Sequence, residues 1–145
     1  MKTEKNLSNQ SLCHCTNLRR ASRAITQYYD EMLEPSGLKV TQYGLLNHIR
    51  RLGPLTMNEL SQAMRLERTT LVRNLKPLEQ MGYVASFASK ISQAKQLNLT
   101  EKGAQALAAA APYWNQAQQQ LSELVTEEEE QLFKRVLRKI ESLVP

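Results

Sequence analysis

The stretch TMNELSQAMRLERTTLVRNLKPLEQMG, Thr56 to Gly82, decides the fold. Thr56 and Glu59 stand at the spacing of a capping box, in which each side chain satisfies a backbone N–H that the opening turn of a helix leaves unpaired. Leu55 and Leu60 are placed to form the accompanying hydrophobic staple, and Leu60, Ala63 and Met64 continue as an apolar stripe at helical spacing. Arg65-Leu66-Glu67 then separates this helix from a second periodic run. Two helices joined so closely have the spacing of a helix-turn-helix, over residues 56–82.

The second helix has two unlike sides. At about 100° per residue, Leu71, Leu75 and Leu78 fall together, while Thr69, Arg73, Lys76 and Gln80 fall opposite, with Thr70 and Asn74 flanking them. Two cations, a hydroxyl and an amide suit the phosphate oxygens and base edges of double-stranded DNA. The same residues also fit a solvated surface helix, which is the commoner use of exposed basic side chains. Pro77 lies inside the run and lacks the N–H that would reach the Arg73 carbonyl, so a local bend is expected in a helix that otherwise continues.

Beyond this helix, Gly82 occupies the place where a C-cap favours a left-handed residue. Tyr83–Phe87 and Lys95–Leu99 alternate and favour β structure, and the polar segment from Ala88 to Ala94 separates them. They read as a two-stranded hairpin beside the helix-turn-helix. The order of elements is that of a winged helix-turn-helix.

With those residues in place, the chain resembles the MarR family of bacterial transcription regulators. The resemblance rests on GLKVTQYGLL (Gly37 to Leu46), LTMNELSQAM (Leu55 to Met64), RTTLVRNLKPLEQMGYV (Arg68 to Val84) and LNLTEKG (Leu97 to Gly103). It implies a mainly α fold with a small β-hairpin wing, in which residues 38–99 form the DNA-binding lobe and residues 12–34 and 100–145 a helical dimerisation region. It further implies a homodimeric repressor on a pseudo-palindromic operator, released by a small-molecule or oxidant signal. Small aromatic or phenolic effectors are bound by relatives between the dimer helices and the lobe. The family places an acidic residue and arginines ahead of the second wing strand, where this chain has Ile91, Ser92, Gln93 and Ala94. Lys90 and Lys95 are the cations that remain there, which puts minor-groove reading by the wing in doubt. The expected DNA-binding set is therefore Thr69, Thr70, Arg73, Asn74, Lys76, Lys90 and Lys95.

Charge follows this division. The net charge is +5, and residues 1–99 hold 14 Lys and Arg against 7 Asp and Glu, whereas residues 100–145 hold 5 against 7. A basic lobe attracts an anionic partner. Met1–Ser11 is polar, without the apolar core of a signal peptide, and no later run is long and apolar enough to span a membrane, so a cytoplasmic protein is expected. One domain of ordinary size accounts for the length.

The first helix is expected over about Leu12 to Leu33, because Cys15, Leu18, Ser22, Ile25, Tyr29 and Met32 repeat at steps of three and four. A helix of that length extends about 30 Å, more than one compact lobe needs, so another subunit is a candidate to cover part of its stripe. Pro35-Ser36-Gly37 ends it, and Thr41 is the expected cap of a second helix carrying Leu45, Leu46, Ile49 and Leu52. Arg50 and Arg51 near its end complement the helix dipole or meet a flanking phosphate.

Cys13, His14 and Cys15 do not make a metal site, since alternate residues of a helix diverge and the chain holds one further histidine, His48. The same divergence argues against a Cys13–Cys15 disulfide in an intact helix. Cys15 fits a small buried hydrophobe on the stripe. Counted from Thr41-Gln42-Tyr43, it also takes the place of the reactive cysteine in the family branch that senses organic hydroperoxides. Tyr29 matches one thiolate-supporting tyrosine of that branch, and Arg19 stands where another is expected.

Thr100 is the expected cap of a long helix with Ala104, Leu107, Ala111, Trp114, Leu121 and Val125 on its apolar face and a kink at Pro112. Thr126 and Glu129 form another capping box, Glu127–Glu130 suit that helix's positive end, and Leu132, Phe133, Val136, Leu137, Ile140 and Leu143 form its stripe. No nucleotide loop, zinc-protease pattern or nucleophile constellation is present, which argues against an enzyme and against a cofactor. Beside the repressor stands an alternative, a protein-interaction module of the same fold without sequence-specific DNA binding.

Overall fold

The structure is a computed structural model that describes residues 10–88, 91 and 94–145. Helix α1 runs His14–Leu33, two residues shorter at its start than the periodicity suggests. The cause is local. Asn17 closes back on the backbone of Ser11, accepting from its N–H at 2.9 Å and donating to its carbonyl at 2.7 Å, while Ser11 Oγ accepts from the Cys13 N–H at 3.0 Å. These bonds satisfy the chain ahead of the helix in a non-helical shape and leave Cys13, in extended conformation, at the N-cap. Cys13 therefore lies outside the helix rather than within it.

A short 3-10 turn, Glu34–Ser36, and Gly37 at φ 76° carry the chain into α2, Val40–Leu52. The cap of α2 is Lys39, not Thr41. The Gln42 side chain accepts from the Lys39 N–H at 2.9 Å and Asp30 Oδ1 accepts from the Val40 N–H at 2.8 Å. Two donors of the opening turn are thus met by other side chains, and Thr41 is left free to be helical.

Helix α3, Met57–Met64, opens on the expected capping box, with Thr56 Oγ1 accepting from the Glu59 N–H at 3.2 Å and Glu59 Oε2 from the Thr56 N–H at 3.3 Å. Its stripe is narrower than the sequence suggests: Leu60 is buried and Met64 half-buried, but Ala63 faces solvent. Helix α4, Arg68–Gln80, runs unbroken through Pro77, which is exposed. Leu71, Leu75 and Leu78 enter the core together with Leu45, Leu46 and Ile49 of α2.

The sheet has three antiparallel strands in the order β1-β3-β2, where a two-stranded hairpin was expected. Strand β1 is Leu55–Thr56, β2 is Val84–Ala88 and β3 is Lys95–Leu99. Leu55 pairs with Leu97 and Thr56 with Gln96 on one side of β3, and Val84 pairs with Leu99 on the other. Leu55 is 2% exposed, so the backbone beside it needs partners, and β3 supplies them. Tyr83 stays out of β2 because its N–H donates to the Leu78 carbonyl at 2.9 Å and its own carbonyl accepts from the Thr100 N–H at 3.0 Å.

Helices α5, Glu101–Leu124, and α6, Glu127–Glu141, follow, capped as expected by Thr100 and by the Thr126–Glu129 box. The buried face of α5 is Gly103, Leu107, Ala110 and Ala117, rotated from the expected one: Ala104 is exposed and Ala111 and Trp114 are half-buried. Gly103 sets this rotation, since a Cβ there would lie 2.1 Å from the Tyr83 carbonyl oxygen. Trp114 stacks on Tyr43 of α2 with ring centroids 5.4 Å apart. Tyr28 and Tyr29 of α1 hydrogen-bond Gln120 and Gln118 of α5. Helix α6 buries none of its residues within the chain. Among the described residues no helix is long and apolar enough to cross a membrane.

Gly103→Ala would force apart the α5 start and the Tyr83 backbone. A loss of about 1–3 kcal/mol in unfolding free energy is expected, read by urea denaturation, whereas Ala104→Ser on the exposed side leaves the midpoint in place.

Candidate nucleic-acid interface

Burial of one side of α4 dictates what the other side presents. Leu71, Leu75 and Leu78 are at most 2% exposed, and on the opposite side Thr69, Arg73, Lys76 and Gln80 stand in solvent with Thr70 and Asn74 half-buried at the flanks. The structure therefore brings five of the expected residues, Thr69, Thr70, Arg73, Asn74 and Lys76, onto one helix. Lys95 is exposed at the start of β3, on a different element, and Lys90 lies outside the described residues. Among the described residues the one ion pair joins Glu130 and Lys134, so Arg73, Lys76 and Lys95 are not neutralised by a carboxylate there.

The start of α4 adds a cation that the periodicity does not single out. Arg68, exposed in the first turn, donates from Nη1 to Asn58 Oδ1 of α3 at 3.3 Å. That turn holds no acid, and the side chain of Glu67 at the N-cap makes no capping hydrogen bond. The sequence signal of Arg68 was only its place at the head of the RTTLVRNLKP motif. Arg50 at the end of α2 hydrogen-bonds Asn47 Oδ1 at 3.0 Å. On the wing Phe87 of β2 is exposed, and Ile91, also exposed, is an apolar group at one of the positions where the family pattern puts charge.

The two thiols differ in setting. Both are exposed. Among the described residues Cys15 is exposed, and so are Leu18 and Ile25 on the same stripe, at 38% and 40% exposure. Cys13 has its thiol pKa lowered, chiefly by the Thr16 hydroxyl and then by the backbone N–H groups of Thr16 and Cys15 at the helix start. Tyr29 lies about 21 Å along α1 from Cys15, and its hydroxyl is bonded to Gln118. It does not support the Cys15 thiolate of its own chain. Burial, with a smaller contribution from Tyr28, raises the Tyr29 phenol, and burial raises that of Tyr43, so both rings are neutral at physiological pH. An open groove of about 480 Å³ between α1 and the start of α2 is lined by Arg23, Thr26, Asp30, Glu34 and Lys39, a polar set of mixed charge.

Residues 36–88, the whole helix-turn-helix with its first wing strand, match the MarR family model. A helix-turn-helix-type transcriptional regulator of Bacillus subtilis, YwoH, is 32% identical over 94 residues, covering 65% of this chain and 67% of its own. The chain belongs to the MarR family. Among solved structures, the Mycobacterium tuberculosis transcriptional regulator MosR in complex with DNA is 38% identical, with a TM-score of 0.75 over 90% of this chain and 92% of that one. The Staphylococcus aureus MepR–DNA complex has a TM-score of 0.80 over 92% of this chain and 100% of that one, at 22% identity, a likeness of fold that includes the C-terminal helices. As a MarR-family protein, the chain is a DNA-binding helix-turn-helix regulator of transcription and not an enzyme.

The lowered thiol has a measurable consequence. At neutral pH iodoacetamide is expected to alkylate Cys13 faster in the wild type than in Thr16→Val, read by peptide mass spectrometry. Equal rates in the two proteins would show that the Thr16 hydroxyl does not stabilise the thiolate.

Proposed function

We propose that the protein is a homodimeric repressor that sets α4 in the major groove of a pseudo-palindromic operator, with Thr69, Thr70, Arg73, Asn74 and Lys76 facing the duplex and Lys90 and Lys95 on the wing beside it. The observation that carries this is the unneutralised basic and polar side of α4, held outward by the buried leucine stripe. Support for the dimer comes from the uncovered apolar residues of the two helical ends: Leu18 and Ile25 on α1, and Leu132, Phe133, Val136 and Ile140 on α6. Faces of this kind need a cover, and an isologous pairing of two copies gives one. Half-sites about one turn, roughly 10 bp, apart would then meet the two recognition helices. A gel shift with the protein's own upstream DNA tests the proposal, and a monomer at micromolar concentration in light scattering would sink the dimer. Absence of a sequence-specific shift would favour an interaction module instead.

Arg73→Ala and Lys76→Ala are expected to weaken operator binding without lowering thermal stability, because neither side chain touches the core. Loss of a base contact from Arg73 should cost about 1–3 kcal/mol and relax one operator position, while loss of a phosphate contact from Lys76 should reduce the salt slope by about one. Unchanged affinity in both would remove α4 from the interface.

Release by an oxidant is the proposed role for Cys15. A hydroperoxide would transfer one oxygen to the thiolate and leave as the alcohol, and the sulfenic acid would disturb apolar packing that spaces the recognition helices. Operator affinity of the wild type is expected to fall after stoichiometric hydroperoxide and to recover with a thiol reductant; Cys15→Ser should not respond. If wild type and Cys15→Ser both keep their affinity throughout, the search turns to small aromatic or phenolic effectors.

A further inference from the structure

Arg65 is the one non-glycine residue with positive φ among the described residues. Its backbone, at φ 52° and ψ 42°, closes α3 in the left-handed region, where glycine or asparagine would sit at lower steric cost. The side chain shows what an arginine adds there. Arg65 Nη2 donates to the Glu141 carbonyl at 2.9 Å and to the Val144 carbonyl at 2.5 Å, joining the turn of the helix-turn-helix to the last turn of α6 across more than seventy residues of sequence.

That last turn has a complete account of its acceptors. The Arg138 carbonyl takes the Ser142 N–H at 3.1 Å, the Lys139 carbonyl takes the Ser142 hydroxyl at 2.6 Å, and the Ile140 carbonyl takes the Leu143 N–H at 3.1 Å. The Glu141 carbonyl has a long bond from the Val144 N–H at 3.4 Å, and Arg65 is its short partner. A guanidinium is well suited to this place, because it meets the negative end of the helix dipole with donors in a planar fork.

Helix α6 buries nothing in its own chain, so this contact holds its far end to the DNA-binding lobe. The connection to α4 is short. Arg65 N–H bonds the Gln62 carbonyl, Leu66 N–H bonds the Ser61 carbonyl, and Glu67, the N-cap of α4, accepts from the Leu71 N–H at 2.9 Å. We propose that Arg65 is a latch: by gripping the C-terminal carbonyls of α6 it couples the position of that helix to the start of α4. The coupling rests on the reading of α4 as the DNA-reading helix, whereas the grip itself does not.

Amide hydrogen exchange on the full chain, with and without its upstream DNA, tests this in wild type and Arg65→Gly. Glycine fits the left-handed position, so the variant is expected to fold with undiminished thermal stability. Without DNA, exchange at Ser142, Leu143 and Val144 should rise by about fivefold or more in Arg65→Gly, and exchange at Leu71, Val72 and Arg73, the first amides of α4 bonded within the helix, should rise with it. In the wild type DNA should alter protection at 142–144, and in the variant this response should vanish, since coupling is reciprocal. Unchanged exchange at 142–144 in the DNA-free variant overturns the latch. Faster exchange there with 71–73 unmoved, and with no wild-type response to DNA, overturns the coupling. If the wild type binds no DNA, the reading of α4 fails, and the two DNA-free segments still decide the latch.

Discussion

Burial of Leu71, Leu75 and Leu78 in the core they share with α2, α3 and the sheet is the constraint from which the rest follows. A fully buried leucine contributes about 1.5–3 kcal/mol by area, whereas an exposed arginine or lysine contributes little to folding. The core therefore chooses which side of α4 turns inward, and the basic side is outward by exclusion. Nothing in the lobe folds around Arg73 or Lys76. Their chemistry is available to a partner because stability does not use it.

Where local chemistry decides structure, the sequence is legible. The Thr56–Glu59 and Thr126–Glu129 boxes, the Thr100 cap and the left-handed Gly82 stand where their residue types put them. Errors arise where a tertiary contact outbids a local signal. Thr41 is a good cap, but Asp30 arrives from α1 to take the Val40 N–H. Ala104 has the right spacing for the α5 face, yet the approach of Gly103 to the Tyr83 carbonyl turns the helix so that Ala110 is buried instead. The third strand was invisible for a related reason. Two residues carry no periodicity, and only pairing with β3 makes Leu55–Thr56 a strand.

The stripes of α1 and α6 show a different limit. Both are plain in the sequence, but the residues that form them remain largely uncovered in the single chain. Periodicity reports that a face is apolar and cannot say whose side chains cover it. Cys15 lies on such a face, so its environment is set by whatever packs there, while Cys13 has its environment fixed locally by Thr16 and the helix start.

The two ends of α4 are held by unlike means, which defines how the helix can move. At its C-terminal end the Leu78 carbonyl binds the Tyr83 N–H, the Tyr83 carbonyl binds the Thr100 N–H, and Gly103 packs at a distance that leaves no room for a methyl group. Close-packed contacts of this kind resist small displacements. At its N-terminal end Leu71 is buried in the core, but the residues ahead of it are tied by exposed polar bonds, Arg68 to Asn58 and, through the turn, Arg65 to the end of α6, which solvent can replace at little cost. On the proposed latch, a shift of α6 would therefore act on the first turn of α4, ahead of Leu71. Thr69 and Thr70, ahead of the buried Leu71, would move most, and Lys76, between the buried Leu75 and Leu78, least.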